Sequence, residues 1–397
     1  MQQPAEGTGA EAVKPLRQAR WRCNVASESV GRGIRQTVAG EFFELATFGL
    51  RSKVRLIRIL FAYTADQTTL QNSLASSDFM PLSLAEYADF LDGRNLIWPQ
   101  VPPARPIAAT PSVQCLPGIR AVLWDVYGTL LRVSDGKFTL FPKDEARLQI
   151  ALDKTIHEFN MWNHMYRKPG PPWQSLIGLY RSITERQSMA GSARGDVTDV
   201  NLVETWRSII QRLFEKEYTF DEAQYGDLDE FSEKVAYFFH SNLQATGARD
   251  GAIRAMSDIS AAGLTQGLLS DGQSFTLVQT LRALALQGEL PPLYQVFRPQ
   301  TMILSHQLAA KKPSRSLFAY AVNQLRAIGI QAQEILHVSC RLSTDLVPAK
   351  AAGMKTALLV AEKSGLEVNA DVLKDPTTRP DRLLTRLDQV EAVIGMG

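Results

Sequence analysis

The residues AVLWDVYGTLL (121–131) indicate the fold class more clearly than any other stretch of the chain. An apolar run that begins at Ile119 ends in the carboxylate of Asp125, and a short run of this kind is typical of a buried strand. Gly128 and Thr129 follow at once and allow a tight turn that leads the chain away from the strand. We therefore predict a strand that ends in an acidic side chain at position 125.

Beyond residue 245, short apolar runs alternate with helical patterns. An amphipathic helix over Ala252–Ala262 precedes a run at Leu264–Ser270 that ends in a hydroxyl, and a later helix runs from about Pro313 to about Ile328. Alternation of this kind predicts an α/β fold with a Rossmann-like parallel sheet covered on both faces. The other strand candidates are Tyr294–Phe297, Met302–Leu304, Ile335–Val338 and Thr356–Val360, with a helix that ends at Gly353 between the last two.

From residue 131 to about residue 244 the chain lacks a strand signal and is rich in aromatic residues and helical patterns. Because this segment interrupts the alternating pattern directly after the first strand, we predict an inserted all-helical cap over the active edge of the sheet. The predicted organisation is a basic, poorly patterned leader (1–79), a helix with a proline-rich connector (80–118), an α/β core (119–132 and 245–397) and the helical cap (133–244).

The amino-terminal region has its own pattern. Ser83 and Glu86 form a capping box that predicts a helix over Leu84–Leu91. Since Met80 stands just before this signal, we hypothesise that the native polypeptide begins at Met80 and that residues 1–79 are translated upstream sequence.

Composition excludes several classes of protein. The chain has 397 residues, 45% of them hydrophobic, with 43 Lys and Arg against 41 Asp and Glu, so the formal net charge is +2. A charge this small gives no global field for nucleic acid or anionic membranes, and no apolar run approaches the roughly 20 residues that cross a bilayer. Three widely spaced cysteines predict neither a disulfide framework nor a zinc site. We expect a cytoplasmic protein with a small-molecule substrate and leave a homodimer open.

Four polar residues stand at or near the ends of the predicted strands, namely Asp125, Ser270, Lys312 and Asp345. Catalytic groups of parallel sheets lie at the carboxyl ends of the strands, so we expect these four to converge. Asp125 would attack the substrate and form an ester, Ser270 would bind an anionic group, and Lys312 would keep Asp125 ionised. Asp345 would either orient the lysine or activate the hydrolytic water.

The order of these motifs resembles the haloacid dehalogenase (HAD) superfamily of aspartate-nucleophile hydrolases over about residues 119–395. The four motifs are Asp125-Val126-Tyr127-Gly128-Thr129-Leu130, a strand that ends in Ser270, Lys312-Pro313 before a helix, and an acidic loop with Asp345 before a helix that ends at Gly353. The resemblance implies that Asp125, Ser270, Lys312 and Asp345 are catalytic. It also implies that Tyr127, Gly128, Thr129, Asp271, Gly272 and Arg341 contact the substrate.

Two departures from the superfamily pattern bear on the reaction. Phosphatases of the superfamily usually carry an aspartate where this chain has Tyr127, and Gly-Asp where it has Ser339-Cys340. A thiol is a poor Mg²⁺ ligand, whereas Tyr127 matches the D-x-Y-G-T-L motif of the metal-free 2-haloacid dehalogenases. Arg341 would supply a cation to that site or be solvated, and the sequence leaves both readings open.

Three functions remain open at this point. The first is a dehalogenase-like hydrolase that requires no cofactor. The second is a Mg²⁺-dependent phosphatase of a small phosphate ester in which Asp125, Asp345 and backbone carbonyls hold the ion. The third is a catalytically inactive binding protein that retains the fold.

Overall fold

The computed structural model describes residues 80–165, 170–190 and 195–396. The predicted leader, and with it the hypothesis of a start at Met80, concerns residues outside these ranges. The first described helix, α1, spans Leu84–Asp92 and begins with the predicted capping box. The backbone N–H of Ser83 donates to the Glu86 carboxylate at 2.7 Å, and that of Glu86 donates to Ser83 Oγ at 3.3 Å.

Short strands and longer helices alternate along the described residues. The strands are β1 (Ala121–Trp124), β2 (Leu131–Val133), β3 (Val197–Thr198), β4 (Thr246–Ala248), β5 (Thr265–Ser270), β6 (Met302–Leu304), β7 (Ala310–Lys311), β8 (Ile335–Ser339), β9 (Lys355–Leu359) and β10 (Arg382–Leu384). The helices after α1 are α2 (Glu145–Glu158), α3 (Pro172–Met189), α4 (Leu202–Phe214), α5 (Glu222–Tyr225), α6 (Leu228–Leu243), α7 (Ala252–Ala261), α8 (Thr276–Ala285), α9 (Leu293–Val296), α10 (Arg315–Ala327), α11 (Val347–Ala351), α12 (Ala370–Lys374) and α13 (Val390–Val393). A π-helical turn spans Leu342–Leu346.

Six parallel strands form the central sheet in the order β10–β9–β8–β1–β5–β6. β1 is central, and Ala121 pairs with both Thr265 of β5 and Ile335 of β8. All four residues of β1 are buried, as expected for a strand covered on both faces. The predicted α/β class with a parallel sheet core is confirmed.

The side chains of β1 alternate between two apolar layers. Ala121 and Leu123 pack with Leu317 and Phe318 of α10 on one face, whereas Val122 and Trp124 join a larger cluster on the other. Alternation with a period of two residues is the geometry of a strand, and it lets four consecutive apolar residues supply both faces.

The helices between residues 145 and 243 pack around α6, which lies against α2 and α4. The ring of Phe239 in α6 lies 5.2 Å from that of Tyr180 in α3 and 5.1 Å from that of Trp206 in α4. Trp206 and Trp124 belong to one continuous buried cluster, so these helices share apolar contacts with the sheet. That they form a separate cap domain stays a prediction.

Two short ribbons correct the expectation that strands are absent from residues 131–244. β2 pairs antiparallel with β4, and β3 pairs antiparallel with β7. Both ribbons join the helical segment to the sheet, and β7 directly precedes Lys312. Segments of two or three residues are too short to show a periodic pattern in the sequence.

One predicted strand is wrong. Residues 294–297 lie mainly in helix α9 (Leu293–Val296), which begins after Pro292. A proline fixes φ near the helical value and favours the first turn of a helix, while a short apolar run does not distinguish strand from helix. The neighbouring prediction at Met302–Leu304 is confirmed as β6. None of the described helices combines the length and the apolar character needed to span a bilayer.

Candidate active site

Four predicted catalytic side chains meet at the carboxyl edge of the sheet. Asp125 follows β1, Ser270 ends β5, Lys312 follows β7, and Asp345 lies in the π-helical turn after β8. All four residues are buried. Because parallel strands present their carboxyl ends at one edge, residues distant in sequence meet here.

Both oxygens of the Asp125 carboxylate accept hydrogen bonds. Oδ1 lies 3.1 Å from Ser270 Oγ and accepts from Lys312 Nζ at 2.9 Å. Oδ2 accepts from Thr129 Oγ1 at 2.9 Å and from Arg341 Nη2 at 2.7 Å. Two hydroxyls and two cations thus surround a side chain that is 0% exposed. Hydrogen bonds from charged donors are stronger than neutral ones, so these four donors hold the side chain firmly in place.

Lys312 links the carboxylates of Asp125 and Asp345. Its Nζ donates to Asp345 Oδ2 at 2.6 Å as well as to Asp125. Burial opposes the charge of Lys312, but Asp125 and Asp345 outweigh it and raise the pKa of the lysine. The other oxygen of Asp345 lies 2.7 Å from Nε2 of His337, whose Nδ1 lies 3.0 Å from Leu123 O. Burial also opposes the ionisation of Asp345, but His337 and Lys312 outweigh it and lower the pKa of Asp345.

His337, which belongs to none of the sequence motifs, lies in the site beside Asp345. It occupies the middle of β8, a strand whose five residues are all buried. A polar side chain in a buried strand must find hydrogen-bond partners, and this was the available signal. The partner itself, Asp345, is outside the strand and depends on the tertiary fold.

Arg341 turns inward and is buried. Its Nη2 donates to Asp125, and its Nη1 donates to the backbone carbonyl of Tyr127 at 2.9 Å. Burial works against its charge, but Asp125 and other acidic groups outweigh it and raise the pKa of the guanidinium. Of the two readings of Arg341, the structure supports the one in which it supplies a cation.

A second buried arginine, which the sequence did not indicate, holds the loop after Asp125. Nη2 of Arg249 donates to Gly128 O at 2.7 Å and its Nε donates to Thr129 O at 2.8 Å. The same guanidinium pairs with Glu362, which also pairs with Arg132. Arg249 and Gly128 are 121 residues apart, so no local pattern could reveal the contact.

Three of the predicted substrate-binding residues are engaged in contacts that position the loops. Tyr127 Oη donates to Gln279 Oε1 at 2.7 Å and lies 3.0 Å from Thr276 Oγ1. Asp271 Oδ1 accepts from the backbone N–H of Lys312 at 2.8 Å, and the backbone N–H of Gly272 donates to Ser305 Oγ at 2.9 Å. Their roles in substrate binding stay predictions.

Gly128 is required by the close approach of a neighbouring turn. Its φ is +96°, a conformation that favours glycine, and a Cβ at this position would lie 2.3 Å from Gly136 O. A Cβ on Gly136 would in turn lie 2.2 Å from the backbone nitrogen of Gly365. Three glycines therefore let three loops approach one another closely.

Comparison with known proteins supports the resemblance to HAD hydrolases that the sequence indicates. A family model described as HAD-hydrolase-like matches residues 309–390, which include Lys312 and Asp345. This match confirms the superfamily resemblance. The matched family is one of HAD-like hydrolases, in agreement with the predicted enzyme class. A search of curated proteins returns no match.

Solved structures similar to this chain include three bacterial proteins. An L-2-haloacid dehalogenase from Xanthobacter autotrophicus, with chloropropionic acid covalently bound, is 18% identical over 70% of this chain and 100% of its own (TM-score 0.36). YfnB from Bacillus subtilis, bound to magnesium, is 17% identical over 70% of this chain and 99% of its own (TM-score 0.36). A HAD family hydrolase from Deinococcus radiodurans, with bound phosphate and sodium, is 15% identical over 69% of this chain and 94% of its own (TM-score 0.36).

The residues at the carboxyl edge of the sheet do not fit a Mg²⁺ ion. Both oxygens of each predicted ligand, Asp125 and Asp345, already face hydroxyl, ammonium, guanidinium or imidazole groups. Burial raises the pKa of the Cys340 thiol, which donates to Gly365 O at 3.2 Å. Mg²⁺ needs near-octahedral oxygen ligands, and within the described ranges no cluster of three or more His, Cys, Asp or Glu side chains could hold a metal.

Asp199 is a half-buried carboxylate beside the site. It follows β3, and its Oδ2 accepts from Ser305 Oγ at 2.6 Å while its Oδ1 accepts from the backbone N–H of Val200 at 3.0 Å. Burial raises the pKa of Asp199 to about 6, against the opposing effect of the Ser305 hydrogen bond. The folded protein therefore holds this proton more tightly than the unfolded chain does.

We expect Asp199→Asn to stabilise the protein at neutral pH. The ordinary pKa of an Asp carboxyl is about 4, and that of Asp199 in the folded protein is about 6. The contribution of Asp199 to stability therefore falls as pH rises through this range, because the folded state must then bury a charge. The amide removes that charge and can still accept from Val200 and donate to Ser305, so a gain of about 1–3 kcal/mol is expected at pH 7.5. Urea unfolding at pH 7.5 and pH 4 measures it. The exposed Asp371→Asn serves as the control, and an equal effect of Asp199→Asn at both pH values contradicts the assignment.

Proposed function

We propose that this protein is a metal-independent hydrolase in which Asp125 forms an ester with a small 2-haloacid. The observation that supports it is the position of the Asp125 carboxylate between Lys312 and Arg341, at 2.9 Å and 2.7 Å. In this step the ionised carboxylate is the nucleophile, and the two cations orient it. The cytoplasmic location and the homodimer remain predictions from the sequence.

The first step is a displacement at C2 of the substrate. One oxygen of Asp125 forms a bond to C2 as the carbon–halogen bond breaks, and the bonding electron pair leaves with the halide. A halide leaves without a proton, so this step needs no general acid. The position at which phosphatases of the superfamily carry their acid is here Tyr127, whose hydroxyl is already bound to Gln279 and Thr276.

The second step is hydrolysis of the ester. Water adds to Cγ of Asp125, the bond between Cγ and the ester oxygen breaks, and the 2-hydroxy acid leaves with one net proton released. Asp125 then retains one oxygen from the water. Asp345 supports this step as a positioning residue, because its short contacts with Lys312 and His337 hold the lysine against Asp125.

Charge favours a monoanionic substrate over a phosphate ester. In the inner site, Lys312 and Arg341 are balanced by Asp125 and Asp345, so these four groups leave no surplus positive charge. A phosphate monoester would bring two negative charges into this buried space, and a haloacid brings one. Phosphoryl transfer depends almost wholly on charge neutralisation and positioning, and this site is therefore poorly suited to it.

A panel of 2-haloacids and phosphate esters, assayed with and without EDTA, tests the proposal. We expect halide release from one or more haloacids that EDTA does not reduce. Phosphate release that requires Mg²⁺ contradicts it and supports the phosphatase alternative. In a single turnover in ¹⁸O-water, mass spectrometry of the Asp125 peptide should show one ¹⁸O, whereas label only in the product contradicts an ester at Asp125.

One observation favours the inactive binding protein as the second candidate. Asp125 is 0% exposed, and both of its oxygens already have two donors. A substrate reaches it only when the loops above the site separate. Wild-type protein that behaves like Asp125→Asn on every substrate supports this candidate.

A further inference from the structure

We infer that the guanidinium of Arg341 is the built-in cation of this site and occupies the position in which a divalent metal would bind the nucleophile. It bridges two oxygens of the same loop, Asp125 Oδ2 and the backbone carbonyl oxygen of Tyr127. The inference deepens the proposed function, and the part of it that concerns catalysis rests on that function. The geometry itself is tested without any turnover.

The two oxygens converge because of the turn after β1. Gly128 N donates to Leu131 O at 2.7 Å and Thr129 N donates to Val126 O at 3.1 Å, which folds the loop back on itself. A carboxylate oxygen and a carbonyl oxygen held close together attract a cation. In this chain a side chain from the loop after β8 supplies that cation.

Arg341 is held in place on several sides. Its backbone N–H donates to Ser339 Oγ at 3.1 Å, and its carbonyl accepts from Leu346 N at 3.1 Å. A Cβ on Gly128 would lie 3.3 Å from Nη1, so the absence of a side chain there gives the guanidinium room. Arg341 is only 7% exposed, which makes it a constituent of the site and not a surface residue.

The planar guanidinium matches this pair of acceptors in a way that lysine cannot. Its fork of N–H groups donates in two directions at once, whereas an ammonium is a compact point charge. One Arg supplies a single positive charge with fixed direction, and a divalent ion supplies two. A site with the lower charge suits a carboxylate monoanion, in agreement with the proposed substrate class.

Mn²⁺ binding to the full chain, measured by electron paramagnetic resonance, tests the inference. Wild-type protein should bind no Mn²⁺ at Asp125, so the substitution Asp125→Asn should leave its Mn²⁺ signal unchanged. The double variant Cys340→Asp/Arg341→Ala frees the two oxygens and adds a carboxylate. It should bind one Mn²⁺ per chain at least about tenfold more tightly than wild type, and adding Asp125→Asn should abolish that binding.

The control is Arg326→Ala, which removes an exposed arginine and should leave Mn²⁺ binding as in wild type. Wild-type protein that binds one Asp125-dependent Mn²⁺ overturns the inference, and this measurement decides even where the double variant does not fold. A folded double variant that binds no Mn²⁺ overturns it as well. As an independent readout, guanidinium ion far below denaturing concentrations should raise the melting temperature of Arg341→Ala but not that of wild type. Failure of the haloacid assay leaves each of these results unaffected.

Discussion

Replacing Asp125 with asparagine is expected to lower turnover by about 10³-fold or more while the protein stays folded. An amide does not form the ester, and the neutral side chain also ends the attraction between this position and the two cations. One of the two oxygens becomes an NH₂ group that faces either Lys312 and Ser270 or Arg341 and Thr129. Donors would then face donors, so a moderate loss of stability is expected as well.

Halide release and far-ultraviolet circular dichroism, measured on the same preparation, separate the loss of chemistry from unfolding. The matched control is Asp371→Asn, which makes the same chemical change on an exposed helix and should retain wild-type activity. Residual turnover within about tenfold of wild type would contradict a nucleophilic role for Asp125, since that would place the bond-breaking step elsewhere.

The parts of the site that could be predicted from the sequence are those that depend on local sequence patterns. Asp125 and Ser270 stand at the ends of apolar runs, and the rule that parallel strands share a carboxyl edge brings them together. The role of Lys312 was predicted from its position directly before Pro313 and the helix that follows. Each of these inferences uses residues within one strand or one turn of the side chain concerned.

The parts that escaped prediction depend on contacts between distant segments. Arg249 donates a hydrogen bond to the carbonyl of Gly128, which is 121 positions away in the sequence. Glu362, in another loop, pairs with the guanidinium of Arg249. The direction of Arg341 is set by acceptors at Asp125 and Tyr127, which no spacing in the sequence encodes. The helix α9 was predicted as a strand because a short, mainly apolar segment suits both structures equally.

The charge balance around Lys312 gives the second large prediction, which concerns stability. Lys312→Met removes the ammonium that lies between two buried carboxylates, at 2.9 Å from Asp125 and 2.6 Å from Asp345. Methionine fills much of the same volume but leaves a buried negative charge without its partner. Breaking a buried ion pair in this way typically costs about 3–5 kcal/mol. We expect a loss of that size in urea unfolding, together with loss of turnover.

The double variant Lys312→Met/Asp345→Asn distinguishes charge from packing. It removes one positive and one negative charge, so the remaining pair of Asp125 and Arg341 is again neutral. We expect this variant to recover part of the stability lost in Lys312→Met but none of the activity. Lys311→Met, at the half-buried neighbouring position, should change stability far less. If Lys312→Met costs no more than Lys311→Met, the ammonium of Lys312 does not balance the two carboxylates.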